Sequence, residues 1–210
     1  RHPGEGKKIR FTGGGNGGHV MPTLSLLPAL EEGENIELCY VGMAGSIEER
    51  LVQERGGVPF YPIRGGKLRR YFSWENFKDF FRVLGGYFDA RKLLKSLQPD
   101  LVFSKGGFVT VPVVYAAKHL SIPVILHESD YSPGLANRLG SKAAQKVLVT
   151  FEDTLAHTGG KGVWTGTTLR PAIYGGDRQR GLDFLGFDGK RPVLLAMGGS
   201  QGAQALNQAI

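Results

Sequence analysis

The sequence has 210 residues, of which 41% are hydrophobic and 21% charged, a balance typical of a globular protein. A single cysteine excludes a disulfide scaffold, and no apolar run reaches the roughly 18 residues that suggest a membrane-spanning helix. The net charge of +7 is concentrated between residues 64 and 95, where nine basic residues stand against three acidic ones, and such a basic surface predicts an anionic partner.

A run of glycines near the N-terminus is the most distinctive stretch. Residues 9–11 are apolar and strand-like, five of the six residues 13–18 are glycine, and leucines recur at helical spacing over residues 23–30. This order predicts a strand, a tight loop and a helix, with backbone N–H groups and the positive end of the helix dipole aimed at one point. His19 follows the glycines directly. We interpret the loop as a binding site for an anionic ligand.

Strand-like apolar runs then alternate with amphipathic helical segments. Further strands are predicted at residues 36–41, 58–63, 101–103, 123–126, 146–149 and 163–164, and helices from Ser46, Ser73, Phe108 and Ser132. This alternation predicts an α/β fold with a doubly wound parallel sheet covered on both faces. Two prolines indicate that the 58–63 strand is short or lies at an edge. The long helix of residues 73–97 carries an apolar stripe, which we expect to pack on the sheet. The stripe consists of Phe77, Phe81, Leu84 and Phe88.

The last part of the sequence changes character. Residues 7–166 are predicted to form one Rossmann-like domain, and the polar, glycine-rich residues 167–190 a linker. Residues 191–210 repeat the opening design, with a strand at 192–197, a glycine loop and a helix that includes Leu206. One strand and part of a helix cannot bury their apolar faces alone, so we expect them to begin a second domain that continues beyond this sequence.

Three predicted strand ends carry the unusual residues, at 13–19, 104–107 and 127–130. In a doubly wound sheet, ligands bind in the crevice beyond the carboxyl ends of the strands. His19 is a candidate general base there, because an imidazole titrates near neutral pH. Glu128 is a second candidate, and the residues leave open which of the two acts.

Several common classes of site fit poorly. The glycine spacing matches the dinucleotide fingerprint, but the second strand does not end in the acidic residue that would bind a ribose, and no Lys-Ser or Lys-Thr pair makes a P-loop. The histidines are scattered, and no pair of aspartates is spaced to hold a metal. We therefore predict a protein that uses no metal and no cofactor. His127 is interpreted as a structural histidine and Asp130 as a loop cap.

The basic segment of residues 64–95 also contains aromatic residues outside the predicted stripe. They are Tyr71, Phe72, Trp74 and Phe80, close to Lys67, Arg69, Arg70, Lys78 and Arg82. Aromatic and cationic side chains together are typical of a protein that rests on an anionic bilayer surface. Rings packed on a neighbouring loop beside solvated charges would give the same pattern, so the residues alone leave both interpretations open.

Four motifs together resemble the MurG family of bacterial glycosyltransferases. They are GGNGGHVMP at residues 14–22, KGGFVTVP at 105–112, HESDYSPGLAN at 127–137 and GGSQGA at 198–203. The likeness runs in order through nearly the whole sequence. It implies a glycosyltransferase B-type fold of two Rossmann-like domains, of which the first receives a lipid-linked acceptor and the second holds most of a UDP-sugar.

The resemblance also implies an activity and a location. Members transfer N-acetylglucosamine from UDP-N-acetylglucosamine to lipid I, the undecaprenyl-pyrophosphoryl muramyl pentapeptide, and form lipid II at the cytoplasmic face of the cell membrane. By resemblance, His19 and Glu128 lie at the reaction. Substrate contacts are implied for Asn16, Gly17, Gly18, Gly106, Gly107, Asp130, Asn137, Arg170 and Ser200. Contacts with the anionic membrane surface are implied for Lys67, Arg69, Arg70, Phe72, Trp74 and Phe80. Asp130 stands where many members have Asn.

Other functions stay open beside this one. A glycosyltransferase of the same fold could act on another lipid-linked or diacylglycerol acceptor, and a non-catalytic module could bind anionic lipid through the basic segment alone. A nucleic-acid partner is disfavoured, because no nucleic-acid motif accompanies the basic residues. Since most of a donor domain would be missing, we expect little or no turnover by the 210-residue chain alone.

Overall fold

The computed structural model describes residues 6–15, 17–33, 35–65, 74–169, 171–198 and 203–210, and only the backbone of residues 74–80 and 171. The chain divides into two compact units, Arg1–Leu169 and Arg170–Ile210. The first unit holds the sheet.

Seven parallel strands form one sheet in the described part of the first unit. They are β1 Lys7–Thr12, β2 Ile36–Met43, β3 Phe60–Ile63, β4 Leu101–Ser104, β5 Val124–Glu128, β6 Lys146–Val149 and β7 Gly162–Trp164. Their order across the sheet is β3-β2-β1-β4-β5-β6-β7. The strand that carries Pro62 lies at an edge, as its prolines indicated.

Helices connect the strands and cover both faces of the sheet. They are α1 Gly17–Leu24, α2 Leu27–Glu31, α3 Ile47–Arg55, α4 Trp74–Leu97, α5 Thr110–His119 and α6 Leu135–Ser141, followed by a 3-10 helix at Glu152–His157. Side chains of β2 alternate between the faces: Leu38 and Tyr40 pack with α1 to α3, whereas Cys39 and Val41 pack with α4 and α5. The prediction of a doubly wound parallel sheet is therefore confirmed.

The strand order reverses between β1 and β4. From β1 the chain moves outward to β2 and β3, then returns to place β4 on the other side of β1. At such a switch point the loops at the carboxyl ends diverge to opposite faces and leave a crevice. The loops after β1 and β4 flank this crevice, and the loop after β5 lies one strand further along.

The apolar stripe predicted for α4 is wrong at its three described positions, and the side chain of Phe77 lies outside the described residues. Phe81, Leu84 and Phe88 are exposed, and the helix instead buries Gly86, Ala90 and Leu94, which lie one turn apart. A Cβ on Gly86 would lie 2.1 Å from the carbonyl oxygen of Arg64, so the glycine lets the helix backbone approach the end of β3 closely. Close approach of small residues determined which face is buried, and the bulky rings were left outside.

The helix predicted over residues 23–30 is interrupted. α1 begins at Gly17 and ends at Leu24, and α2 starts again at Leu27 with Pro28 in its first turn. Pro28 falls in the first turn of α2, a position that tolerates proline, whereas Pro22 lies inside α1. His19 lies in the first turn of α1 because this helix begins at Gly17.

The second unit contains a 3-10 helix at Pro171–Ile173 and the helices α7 Arg178–Leu185 and α8 Gln204–Ala209. α7 lies inside the predicted linker, and Asp177 caps it by accepting a hydrogen bond from the Arg180 N–H at 2.7 Å. The strand predicted at 192–197 is not formed, and Leu194 is 93% exposed. A strand needs a neighbouring strand for its backbone groups, and the described residues of this unit supply none.

Candidate active site at the carboxyl ends of the central strands

The loops after β1 and β4 are hydrogen-bonded side by side at the switch point. The Lys105 N–H donates to the Thr12 carbonyl at 2.8 Å, and the Gly14 N–H donates to the Gly106 carbonyl at 3.2 Å. Gly107 has φ +93°, and a Cβ there would lie 2.1 Å from the Gly14 oxygen. Two predicted substrate contacts, Gly106 and Gly107, therefore lie directly against the glycine loop.

Buried polar side chains support the glycine loop from behind. The Tyr40 hydroxyl donates to the Gly13 carbonyl at 2.6 Å. Glu48 of α3, completely buried, accepts from the N–H groups of Gly15 at 3.4 Å and Met43 at 3.3 Å. Neither of these residues was recognised from the sequence.

These bonds change which backbone amides can face a ligand. The N–H groups of Gly14 and Gly15 are already bonded within the protein, so the prediction that the whole loop aims its amides outward is wrong for these two. The first turn of a helix has N–H groups without partners inside the helix. In α1 this turn includes Gly17 and Gly18, the next two predicted contacts.

His19 lies half-buried in the first turn of α1, where its imidazole is hydrogen-bonded to the backbone of Lys105. Burial holds the pKa of His19 below its ordinary value of 6.5, and the charge of Lys105 lowers it further. The carboxylates of Asp130 and Glu128 act in the opposite direction. His19 is consequently neutral near pH 7 and able to accept a proton.

Glu128 ends β5 and is 2% exposed. Its Oε1 accepts from the Asp130 N–H at 2.8 Å, and its Oε2 accepts from Asn137 Nδ2 at 2.7 Å. Each oxygen thus accepts one hydrogen bond, and the two bonds hold the turn after β5 against α6. Glu128 caps this turn, in place of the exposed Asp130 that the sequence pattern favoured.

His127 takes a structural position, as predicted. It is buried, and its Nε2 lies 3.1 Å from the Gly166 carbonyl. Burial, followed by the charge of Lys105, lowers the pKa of His127 to about 4. The ring is therefore neutral at physiological pH.

Lys105 is a further polar residue of this crevice that the sequence-based site assignment missed. It is 1% exposed, and its Nζ contacts Ser129 Oγ in the turn after β5. Burial lowers the pKa of Lys105, while Glu128 and Asp130 act to raise it. The sequence signal that could have identified it is its position directly after a central strand and before Gly106 and Gly107.

The structure brings together Gly17, Gly18, His19, Gly106, Gly107, Glu128, Asp130 and Asn137. The remaining predicted residues, Asn16, Lys67, Arg69, Arg70, Phe72, Arg170 and Ser200, and the side chains of Trp74 and Phe80, lie outside the described residues. In the described part of the chain, no helix combines the length and apolarity needed to cross a membrane.

Curated relatives match almost the whole chain. A protein of Bacillus cereus strain ATCC 10987 is 47% identical over 97% of this chain and 58% of its own length. One of Staphylococcus carnosus is 50% identical over 97% of this chain and 56% of its own length. Both are named UDP-N-acetylglucosamine–N-acetylmuramyl-(pentapeptide) pyrophosphoryl-undecaprenol N-acetylglucosamine transferase, the former with the suffix 2. The chain thus spans little more than half the length of these relatives.

Solved structures share the fold. The crystal structure of Acinetobacter baumannii MurG matches with a TM-score of 0.65 and 28% identity, over 78% of this chain and 46% of that one. A UDP-GlcNAc 2-epimerase from Neisseria meningitidis matches with a TM-score of 0.56 at 17% identity, over 77% of this chain and 46% of that one, which shows the fold alone. The sequence profile of the glycosyltransferase family 28 N-terminal domain matches residues 9–149. Since that match spans most of the sheet and the crevice described above, the chain belongs to glycosyltransferase family 28.

Proposed function

We propose that this chain is the acceptor-binding N-terminal part of a transferase that moves N-acetylglucosamine from UDP-N-acetylglucosamine to lipid I, forming lipid II for peptidoglycan. The observation that carries the proposal is the convergence of three loops at the switch point. They join a neutral histidine at a helix N-terminus, His19, to a braced carboxylate turn that begins at Glu128. The names of the relatives supply the donor and the acceptor.

His19 is proposed as the general base. It accepts the proton of the acceptor's 4-hydroxyl as that oxygen bonds to the anomeric carbon of the sugar from the face opposite UDP. The bond from the anomeric carbon to the diphosphate oxygen breaks, and UDP leaves with the electron pair, so the anomeric configuration inverts. The lowered pKa of His19 keeps the imidazole in its basic form at neutral pH.

Glu128 is proposed as a brace. Both of its oxygens accept hydrogen bonds from protein donors, and the side chain is buried. A base needs a lone pair that faces the substrate, so these contacts support His19 for that role. Asn137, which holds Glu128, is proposed to line the acceptor pocket.

Charge on the diphosphates is proposed to be balanced without a metal. The N-terminal turn of α1 presents Gly17 and Gly18 amides together with the positive end of the helix dipole. Gly106 and Gly107 border the same crevice. Preorganised backbone dipoles of this kind stabilise anionic oxygens that develop during group transfer.

The donor side is proposed to belong to a second domain. Residues 191–210 would begin it after a linker at 167–190, with Arg170 and Ser200 as contacts to the sugar nucleotide and Asn16 at the acceptor diphosphate or the donor sugar. The chain's coverage of 56–58% of its relatives supports this division. The 210-residue chain alone is expected to turn over little or nothing.

The exposed face of α4 is proposed to rest on the cytoplasmic face of the membrane. Phe81 and Phe88 are just over half exposed, Leu84 is 42% exposed, and the neighbouring segment is rich in Lys and Arg. An apolar strip beside cations matches an anionic bilayer surface. Contacts from Lys67, Arg69, Arg70, Phe72, Trp74 and Phe80 are part of the same proposal.

Transfer of radiolabelled N-acetylglucosamine to a lipid I analogue by the full-length protein tests the activity. His19→Ala should lower kcat by about 10²- to 10⁴-fold, the effect of losing a general base. His157→Ala is the matched control, because that histidine is exposed on the 3-10 helix and should leave kcat unchanged. Glu128→Gln should lower kcat by a smaller factor than His19→Ala does.

Four outcomes would contradict parts of the proposal. A near-normal kcat in His19→Ala would show that His19 is not the general base. A larger loss of kcat in Glu128→Gln than in His19→Ala would assign that role to Glu128. Transfer to a diacylglycerol but none to the lipid I analogue would change the acceptor. Ordinary turnover by the 210-residue chain would refute the two-domain division of substrates.

A further inference from the structure

Lys105 is a buried cation at the centre of the crevice. Burying an ammonium group is costly unless nearby groups stabilise it. Its Nζ contacts the Ser129 hydroxyl, and among the described residues the structure pairs it with no carboxylate at ion-pair distance. Its charge interacts through space with the carboxylates of Glu128 and Asp130, the two residues that flank Ser129 in the sequence.

Lys105 also links the loop after β1 to the turn after β5. Its backbone N–H donates to Thr12 at the end of β1, and the Lys105 backbone is hydrogen-bonded to the imidazole of His19. Its side chain reaches the turn after β5 at Ser129. A continuous path therefore runs from the histidine through the lysine to the turn that Glu128 caps.

The charges around His19 oppose one another. Titratable groups face this cluster from four elements: Tyr40 from β2, Glu48 from α3, Lys105 after β4, and His127, Glu128 and Asp130 at the end of β5. The carboxylates of Glu128 and Asp130 favour a proton on His19, whereas Lys105 disfavours one. Without the lysine, burial alone would oppose the effect of the two carboxylates on the histidine.

We propose that Lys105 is a positioning residue for His19: its ammonium holds the 127–130 turn against the glycine loop and offsets the carboxylates of Glu128 and Asp130, so that the histidine stays neutral. The inference rests on the proposed function in treating His19 as the base. The state of the histidine, however, can be measured without any transfer.

The test compares Lys105→Met with Lys118→Met in the full-length protein. Both changes remove one positive charge, but Lys118 is exposed in the last turn of α5, where its Nζ donates to the Lys142 carbonyl at 3.5 Å. The first readout is an NMR titration of ¹³C-labelled histidine without substrate, with the His19 signal assigned by its loss in His19→Ala. In Lys105→Met, the His19 titration should move to higher pH, and in Lys118→Met it should not move.

The second readout is the pH profile of kcat/KM. Because a base must be unprotonated in the free enzyme, the acid limb should move to higher pH in Lys105→Met. The ratio of variant to wild-type kcat/KM should then fall with falling pH, by about tenfold for each pH unit that the limb moves. A purely structural loss would lower kcat/KM by the same factor at every pH.

Lys105→Gln removes the charge and keeps a polar N–H donor on a side chain one bond shorter, so it provides a second test where the methionine variant folds poorly. An unchanged His19 titration in a folded Lys105 variant, or a shift to lower pH, would overturn the inference. Absence of transfer by the wild-type enzyme would refute the proposed function, and the histidine titration would still decide the role of Lys105.

Discussion

Gly107→Ala tests the close approach of the two central loops. Gly107 has φ +93°, and an added Cβ would lie 2.1 Å from the Gly14 carbonyl oxygen, a backbone atom that can move only with its loop. Gly15 provides the matched control, because its φ is +91° and a Cβ there would meet nothing within 4 Å. The two alanine substitutions therefore share the backbone strain and differ in the clash.

The expected magnitudes follow from these two contributions. A non-glycine residue in a sparsely populated backbone region costs about 1–3 kcal/mol, which is the whole effect expected for Gly15→Ala. Overpacking adds about 1–3 kcal/mol at Gly107, because Gly14 must move and its hydrogen bond to Gly106 must stretch. With a urea m-value of about 2 kcal/mol/M, the Gly107→Ala midpoint should lie about 0.5–1.5 M below that of Gly15→Ala.

Urea unfolding followed by tryptophan fluorescence measures this difference in the 210-residue chain. Both tryptophans, Trp74 and Trp164, belong to the first unit, so the signal reports the unit that contains the crevice. Equal midpoints for the two variants would refute the argument, since they would mean that the loops after β1 and β4 can move apart without a loss of unfolding free energy.

Two further predictions concern pH and membrane binding. The pKa of His127 is about 4 in the folded protein, mainly through burial, against 6.5 for the ordinary group, so the unfolded chain binds the proton more readily. Stability should fall as pH drops from about 7 to about 4, with up to about 3 kcal/mol from this residue. In His127→Gln the fall in unfolding free energy should be shallower, and equal slopes would contradict the assignment. On α4, Phe88→Ser should lower the affinity for phosphatidylglycerol vesicles, measured by co-sedimentation, by about tenfold, because an exposed aromatic ring is lost from the apolar strip. Phe151→Ser, which removes a similarly exposed ring outside α4, is the control, and equal binding by both variants would exclude this face.

Local sequence signals determined most of the secondary structure. The strand predicted at 146–149 is β6, and Ser46 caps α3 by accepting from the Glu49 N–H at 3.3 Å. Alternation of strands and helices was sufficient for a parallel doubly wound sheet, because parallel strands require crossover connections. The positions of His19 and Glu128 at strand ends followed from the same pattern.

Tertiary structure alone decided what surrounds those residues. Which face of α4 is buried depended on the approach of Gly86 to Arg64, two residues that are distant in sequence. The burial of Lys105 and its contact with Ser129 likewise arise because β4 and β5 are neighbours in the sheet. Hydrophobic periodicity reports a residue's own side chain and spacing, whereas burial, hydrogen-bond partners and electrostatic balance depend on chain segments that only the folded sheet brings together.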